Sequence, residues 1–366
     1  SISTLVVFFR VRPPPTSTPD RSSAASDVYK RQPRSHANER SAAVSHIAHN
    51  QYAFGEVSLG VMPMYHTMGV RVLLASALLN GVFVCMPHYD TEVALRLIQD
   101  EKVTGLTSVP TIVQSLLAHP RFGEFDTRSL FRVSLAGAAT PTGLPELIET
   151  RIQGPSRSTG WGMTETLSVG ATMSGGIYDL DPGSAGLCSP LVEMRFVDSA
   201  GQVLPEGETG ELQVRGITVC AGYWNHPQAS AAIRDGEWMR TGDLARIDEA
   251  GFLHIVGRIK EIVIRGGENI YPGEIEQAAY ELEEVREVVV FGVPDTHMGE
   301  ELAMVAYVPA GTAVTRERLR GYLEDRLAHY KVPRHIELVA EPLPQNASGK
   351  LFKRQLRDEF IAAMSR

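Results

Sequence analysis

Between residues 52 and 137, short apolar runs alternate with segments of helical period. VSLGVMPM (57–64) predicts a strand, residues 70–79 a helix and VFVCMP (82–87) a strand. TEVALRLIQDEK (91–102) predicts an amphipathic helix, VTGLTSVP (103–110) a strand, TIVQSLLAH (111–119) a helix and FRVSLAG (131–137) a strand. Such alternation implies a predominantly parallel sheet covered by helices. After Asp181 the texture changes to short strands broken by Gly and Asp, with turns at SAG, EGETG and EAG, which predicts an antiparallel region. From residue 261 a compact α+β unit follows: helix 272–283, strands 287–293 and 301–309, helix 315–328 and strand 336–340.

The apolar stretch 70–86 is interrupted by Arg71, Asn80 and Gly81, so it reads as a helix, a turn and a strand, not as a membrane span. Residues 1–32 mix an isolated apolar run, three prolines and a Ser-rich stretch without period, and are expected to form no folded element. They lack the parts of a secretory signal, and SSAASDVYKRQ (22–32) resembles translated adapter read-through, so the natural chain is expected to begin near Pro33.

The 366 residues, 43% hydrophobic and 21% charged, suffice for a full core and suggest two domains. A net charge of -8 argues against nucleic acid or an anionic membrane as partner. Three scattered cysteines suggest neither a disulfide framework nor a metal cluster, and fit the cytoplasm.

Three segments carry candidate chemistry. STGWGMTET (158–166) offers Gly160 and Gly162 for close backbone approach, Thr164 as a hydroxyl donor and Glu165 as a carboxylate for a hard cation. An ordinary turn has the same composition. MRTGDLARID (239–248) with GRIKEIVIRGGENIYPGEIE (257–276) joins Asp243, able to accept two ribose hydroxyls, to Arg258, whose fork of donors suits phosphate or ribose oxygens. The alternatives are a turn cap for Asp243 and a surface pair between Arg258 and Glu261. PLPQNASGKLFKRQLR (342–357) places Lys350 behind Ser348-Gly349, where a lone lysine is ordinarily solvated.

In this order, with MPMYHTMG (62–69), AGAATP (136–141), GSAGLCSP (183–190), VRGITVCAGYWN (214–225) and YKVPRHIE (330–337), these segments resemble the motifs of the adenylate-forming superfamily, which includes acyl-CoA synthetases, adenylation domains and firefly luciferase. The resemblance implies an α/β adenylate-forming fold. It has a partial large domain over 33–256, made of a parallel α/β sheet plus an antiparallel β region, a hinge at 257–260 and a small mobile α+β domain over 261–366.

It implies an ATP-dependent carboxylic acid–CoA ligase that forms an acyl-adenylate and then a thioester, with ATP, Mg2+ and coenzyme A as cofactors. Gly137, Ala138, Ala139 and Trp161 would form the adenine site, with Gly162 beside it. Thr164 would contact the α-phosphate and Glu165 hold Mg2+. Asp243 and Arg258 would hold the ribose and its surroundings, and Lys350 would stabilise charge during attack on the α-phosphorus. Lys260 would be the hinge residue, and Gly266 and Gly267 would line the CoA tunnel. His66, Thr67, Met68, Pro110, Gly162 and Met163 would shape a pocket suited to an aromatic or a short-to-medium aliphatic acid.

The family's phosphate loop should stand just before Pro33, where VYKRQ is found instead, so the resemblance also admits an inactive nucleotide-binding fragment. GGENIYPGEIE favours a CoA ligase over a carrier-loading adenylation domain. The expected partners are a small carboxylic acid and CoA, with a homodimer left open.

Overall fold

The computed structural model describes residues 32–137, 140–141, 143–152, 155–345 and 351–364. Residues 1–31, Ala138, Ala139 and Lys350 therefore lie outside the described residues, as do the readings made for them. Three sheets organise the rest. The first has the order β2-β1-β3-β4-β5-β6-β7, with β1 Val57–Gly60, β2 Val82–Cys85, β3 Gly105–Ser108, β4 Arg132–Leu135, β5 Ser156–Trp161, β6 Ala171–Ser174 and β7 Leu187–Cys188. Pairings from β2 through β5 are parallel. Antiparallel pairing begins at β5–β6, earlier than the change of texture at Asp181 suggests, because the chain turns straight back after the loop that follows Trp161.

Helix α1 (His36–His49) opens with a Ser35–Asn38 capping box, and α2 (Thr67–Leu78) ends before Asn80, which takes a left-handed φ of 50°. The turn at Asn80-Gly81 is required, since a Cβ on Gly81 would stand 2.5 Å from the Glu56 carbonyl oxygen. Asp90 caps α3 (Thr91–Asp100), which buries Ala94, Leu95 and Ile98. Together with α4 (Pro110–Leu117) and α5 (Leu144–Arg151) it covers one sheet face, where Leu59, Leu106, Val133 and Leu135 lie. The opposite face carries Ser58, Thr107, Arg132, Ser134 and Ser158, and α1 and α2 lie over it.

The second sheet is antiparallel: β11 (Trp238–Ile247) pairs with β9 (Gly210–Gly216), with the short β10 (Arg234–Asp235) and with β12 (Leu253–Arg258), and β8 (Val192–Val197) lies beyond β9. The third contains β13 (Val263–Arg265), β14 (Glu268–Ile270), β15 (Glu287–Asp295), β16 (Gly299–Tyr307) and β17 (His335–Val339). Its two long strands, β15 and β16, read as near-continuous apolar runs because both of their faces are buried. Val288 and Val290 pack with Leu319 and Leu323, whereas Val289, Phe291 and Val293 pack with Leu343 and Leu356. No helix among the described residues is long and apolar enough to cross a membrane.

Candidate functional site

The end of β5 and the loop that follows it are compressed. A Cβ on Gly160 would stand 2.6 Å from the Ala171 carbonyl oxygen, and one on Gly162 would stand 2.4 Å from the Ser168 carbonyl carbon. Only glycine fits at either position. Residues 164–166 then make a single 3-10 turn in which Thr164 is exposed and Glu165 buried. Leu167 and Ser168, neither a glycine, both take left-handed φ values of 55° and 53°. Strain of this kind persists only where the surroundings fix it, and it clusters at functional sites.

Trp161 points its indole N–H at Asp243, Nε1 to Oδ2 2.8 Å. The other carboxylate oxygen accepts from Arg258 Nε at 3.1 Å, across the β11–β12 register that pairs the two residues. Asp243 is 4% exposed. Its neighbour Gly242 has φ +74° and falls where the β9–β11 register is interrupted, an irregularity of the kind that re-aims a side chain. Burial pushes the Asp243 carboxyl above its ordinary range, opposed by the charge of Arg258 and the Trp161 donor. Arg258 thus pairs with Asp243, whereas Glu261 meets Lys353 at 3.1 Å; a simple turn cap or a surface pair does not describe this arrangement.

Glu165 accepts a hydrogen bond from the Tyr223 hydroxyl, 2.7 Å to Oε1, and its carbonyl oxygen accepts from Cys220 N at 2.7 Å. Burial and the adjacent carboxylate push the Tyr223 hydroxyl above its ordinary pKa, which keeps it a donor. Sequence reasoning missed this tyrosine, although its motif was noted.

His66 caps α2, its Nδ1 accepting from Met68 N at 3.2 Å, and is partly buried beside buried Thr67 and Met68. Thr67 Oγ1 meets Ser168 Oγ at 2.5 Å, which joins the start of α2 to the loop carrying Gly162 and Met163. A Cβ on Gly137, φ +87°, would stand 3.3 Å from Val109 Cγ1 and 3.7 Å from Met68 Cε. Residues 66–68, 137 and 162–165 are therefore parts of one neighbourhood, linked through Thr67–Ser168 and Met68.

Lys260 is exposed in the turn Ile259–Glu261 that directly follows Arg258, and Gly266 and Gly267 lie further along the chain. No hydrogen bond or ion pair among the described residues ties them to Trp161, Glu165 or Asp243. The two glycines form the loop of the β13–β14 hairpin with φ of 59° and 89°, the left-handed pair that a tight hairpin favours.

Residues 30–224 match the model of the AMP-binding enzyme family, and residues 274–350 that of the AMP-binding enzyme C-terminal domain. A feruloyl-CoA synthase from Amycolatopsis sp is 35% identical over 328 residues, covering 89% of this chain and 66% of its own length. A long-chain-fatty-acid–CoA ligase from Bacillus subtilis is 35% identical, covering 83% of this chain and 54% of its own length. The chain thus spans between about half and two thirds of these relatives. The solved structure of o-succinylbenzoate CoA synthetase from Bacillus subtilis, in complex with an acyl-adenylate intermediate, superimposes with a TM-score of 0.79 at 30% identity, covering 90% of this chain and 66% of that one. Amide bond synthetase McbA from Marinactinospora thermotolerans gives 0.81 at 26% identity, with coverages of 90% and 66%. The fold is that of adenylate-forming enzymes. The chain belongs to the AMP-binding enzyme family.

Proposed function

We propose that this protein activates a carboxylic acid with ATP and transfers the acyl group to coenzyme A. The observation that carries the reading is the buried Asp243 carboxylate held between Arg258 and Trp161, a preorganised acceptor beside an aromatic face. Asp243 accepts the ribose hydroxyls, Arg258 binds ribose or phosphate oxygens, and Trp161 with Gly137, Ala138 and Ala139 flanks adenine. Thr164, exposed beside the buried Glu165, donates to the α-phosphate.

Glu165 fits a divalent cation, because one carboxylate oxygen is taken by a neutral donor and the other has no partner among the described residues. Bound Mg2+ would neutralise phosphate charge there. In the first step a carboxylate oxygen of the acid attacks the α-phosphorus and pyrophosphate leaves; Lys350 stabilises the developing charge. In the second, the CoA thiol, losing its proton, attacks the acyl carbon and AMP leaves. The same proposal includes a division of the chain at 257–260, with Lys260 as hinge and Gly266-Gly267 beside the pantetheine path. The neighbourhood of His66, Thr67, Met68, Gly162 and Met163 mixes apolar and small groups and suits an aromatic or short-to-medium aliphatic acid; the feruloyl relative supports the aromatic choice.

The test is direct. AMP affinity is measured by calorimetry for the wild-type chain and for Asp243→Ala, and acyl-CoA and AMP formation is screened over a panel of acids. Loss of at least about tenfold in AMP affinity is expected for a missing pair of hydrogen bonds to a charged group. Equal AMP binding by the two proteins would overturn the reading.

A further inference from the structure

We propose that Tyr223 is a positioning residue for Glu165, fixing that carboxylate so that its second oxygen faces a divalent cation. The inference rests on the reading of Glu165 as the cation carboxylate. Three independent features converge on it. The Tyr223 hydroxyl and Glu165 Oε1 meet at 2.7 Å in a buried contact, the two residues being 8% and 7% exposed. The backbone is tied at the same place, Cys220 N donating to the Glu165 carbonyl oxygen at 2.7 Å. Tyr223 is in turn anchored from behind, since its N–H donates to Ser230 Oγ at 2.8 Å and Ser230 Oγ donates to the His226 carbonyl oxygen at 2.8 Å.

The approach of these two segments leaves no room. A Cβ on Gly222, whose φ is +151°, would stand 2.7 Å from Ser230 Oγ, so glycine lets the chain come close enough to aim the next residue. Beyond Glu165, the left-handed Leu167 and Ser168 hold the far side of the turn. The carboxylate is therefore gripped through its own backbone and through one oxygen.

The choice of donor matters. A lysine or arginine at 223 would form a stronger bond but would neutralise the carboxylate and compete with a cation. A phenol restricts rotation and leaves the full negative charge available. Carboxylates that ligate metals are commonly hydrogen-bonded in this manner, and loss of such a partner typically costs about 10–100-fold in metal affinity.

The experiment compares the wild-type chain, Glu165→Gln and Tyr223→Phe by three readouts: Mn2+ affinity in the presence of saturating ATP, AMP affinity without metal, and melting temperature. Tyr223→Phe is expected to weaken Mn2+ binding by about 10–100-fold while metal-free AMP affinity stays within about twofold of wild type. Parallel loss of AMP affinity and Mn2+ affinity in Tyr223→Phe would make the tyrosine a merely structural residue and overturn the proposal. If Glu165→Gln weakens Mn2+ binding and Tyr223→Phe does not, the positioning role falls while the cation reading stands. If Glu165→Gln leaves Mn2+ binding unchanged, the cation reading itself fails and the proposal falls with it.

Discussion

The two faces of the first sheet are built from the same strands by opposite means. On one face Leu59, Leu106, Val133 and Leu135 pack under three helices, with buried Ser108 the polar residue level with Leu135 on that side. On the other, buried Arg132 donates to Glu56 Oε2 at 2.7 Å, lies 3.5 Å from the centre of the Tyr52 ring and reaches toward Thr107 and Ser134. Asn50 extends the set, its Oδ1 accepting from Ser134 and Ser158 at 3.1 and 2.9 Å. An apolar face tolerates some repacking, because burial is non-directional. The polar face does not, since each group needs a particular partner; a shift of one residue in β4 would carry Arg132 to the apolar side and leave Glu56 buried alone. The polar face therefore supplies register and the apolar face supplies most of the driving force.

Breaking the polar face should have the largest effect. Arg132→Met leaves Glu56 as an uncompensated buried charge and should cost about 3–5 kcal/mol by urea denaturation, whereas Arg132→Met with Glu56→Leu should recover much of the loss. Recovery by the pair is what separates an ion pair that specifies from one that drives. Leu106→Ala on the apolar face should cost about 2–5 kcal/mol, with no single second substitution restoring it except one that refills the cavity.

The smallest effect is pH. His46, which meets Tyr52 at 2.9 Å on the polar face, is held well below its ordinary 6.5 by burial, then by the charges of Arg71, Arg132 and His49. Burial also lowers His49, against a backbone hydrogen bond with Thr172. Both folded values lie below the unfolded one, so stability is fully present above pH 6.5 and is lost as pH falls from there through the depressed values. Denaturation midpoints at pH 7.5 and 5.5 should show a decline of at most about 1.4 kcal/mol per pH unit for each histidine. Leu106→Ala should keep this pH dependence, and Arg132→Met should weaken it.

The strands and helices between 57 and 137 were legible because their period is set by burial, which depends on local sequence. Helix α1 was not, since His36–His49 covers a polar face and its apolar stripe is accordingly weak. The β13–β14 hairpin was hidden by its three-residue strands, and the terminal helix Lys353–Met364 by a basic start read only for its lysine. Within the site, glycine positions, Glu165, Asp243 and Arg258 stood out by type and order. Trp161 stood out as well, but its contact with Asp243 did not, nor did Tyr223: the pairs are 82 and 58 residues apart, distances that no local pattern spans.

The indole–carboxylate contact has an optical consequence. The chain has three tryptophans. Trp224 is 58% exposed, and Trp238 has the guanidinium groups of Arg195 and Arg215 4.6 and 4.7 Å from its ring centre. Trp161 alone of these donates to a carboxylate among the described residues, packed so closely that a Cβ on Gly170 would stand 2.4 Å from its ring. A change in the charge or hydrogen bonding of Asp243 alters the field along the indole N–H and with it the emission colour. The molecule thus carries a built-in chromophore at the carboxylate, readable without any label.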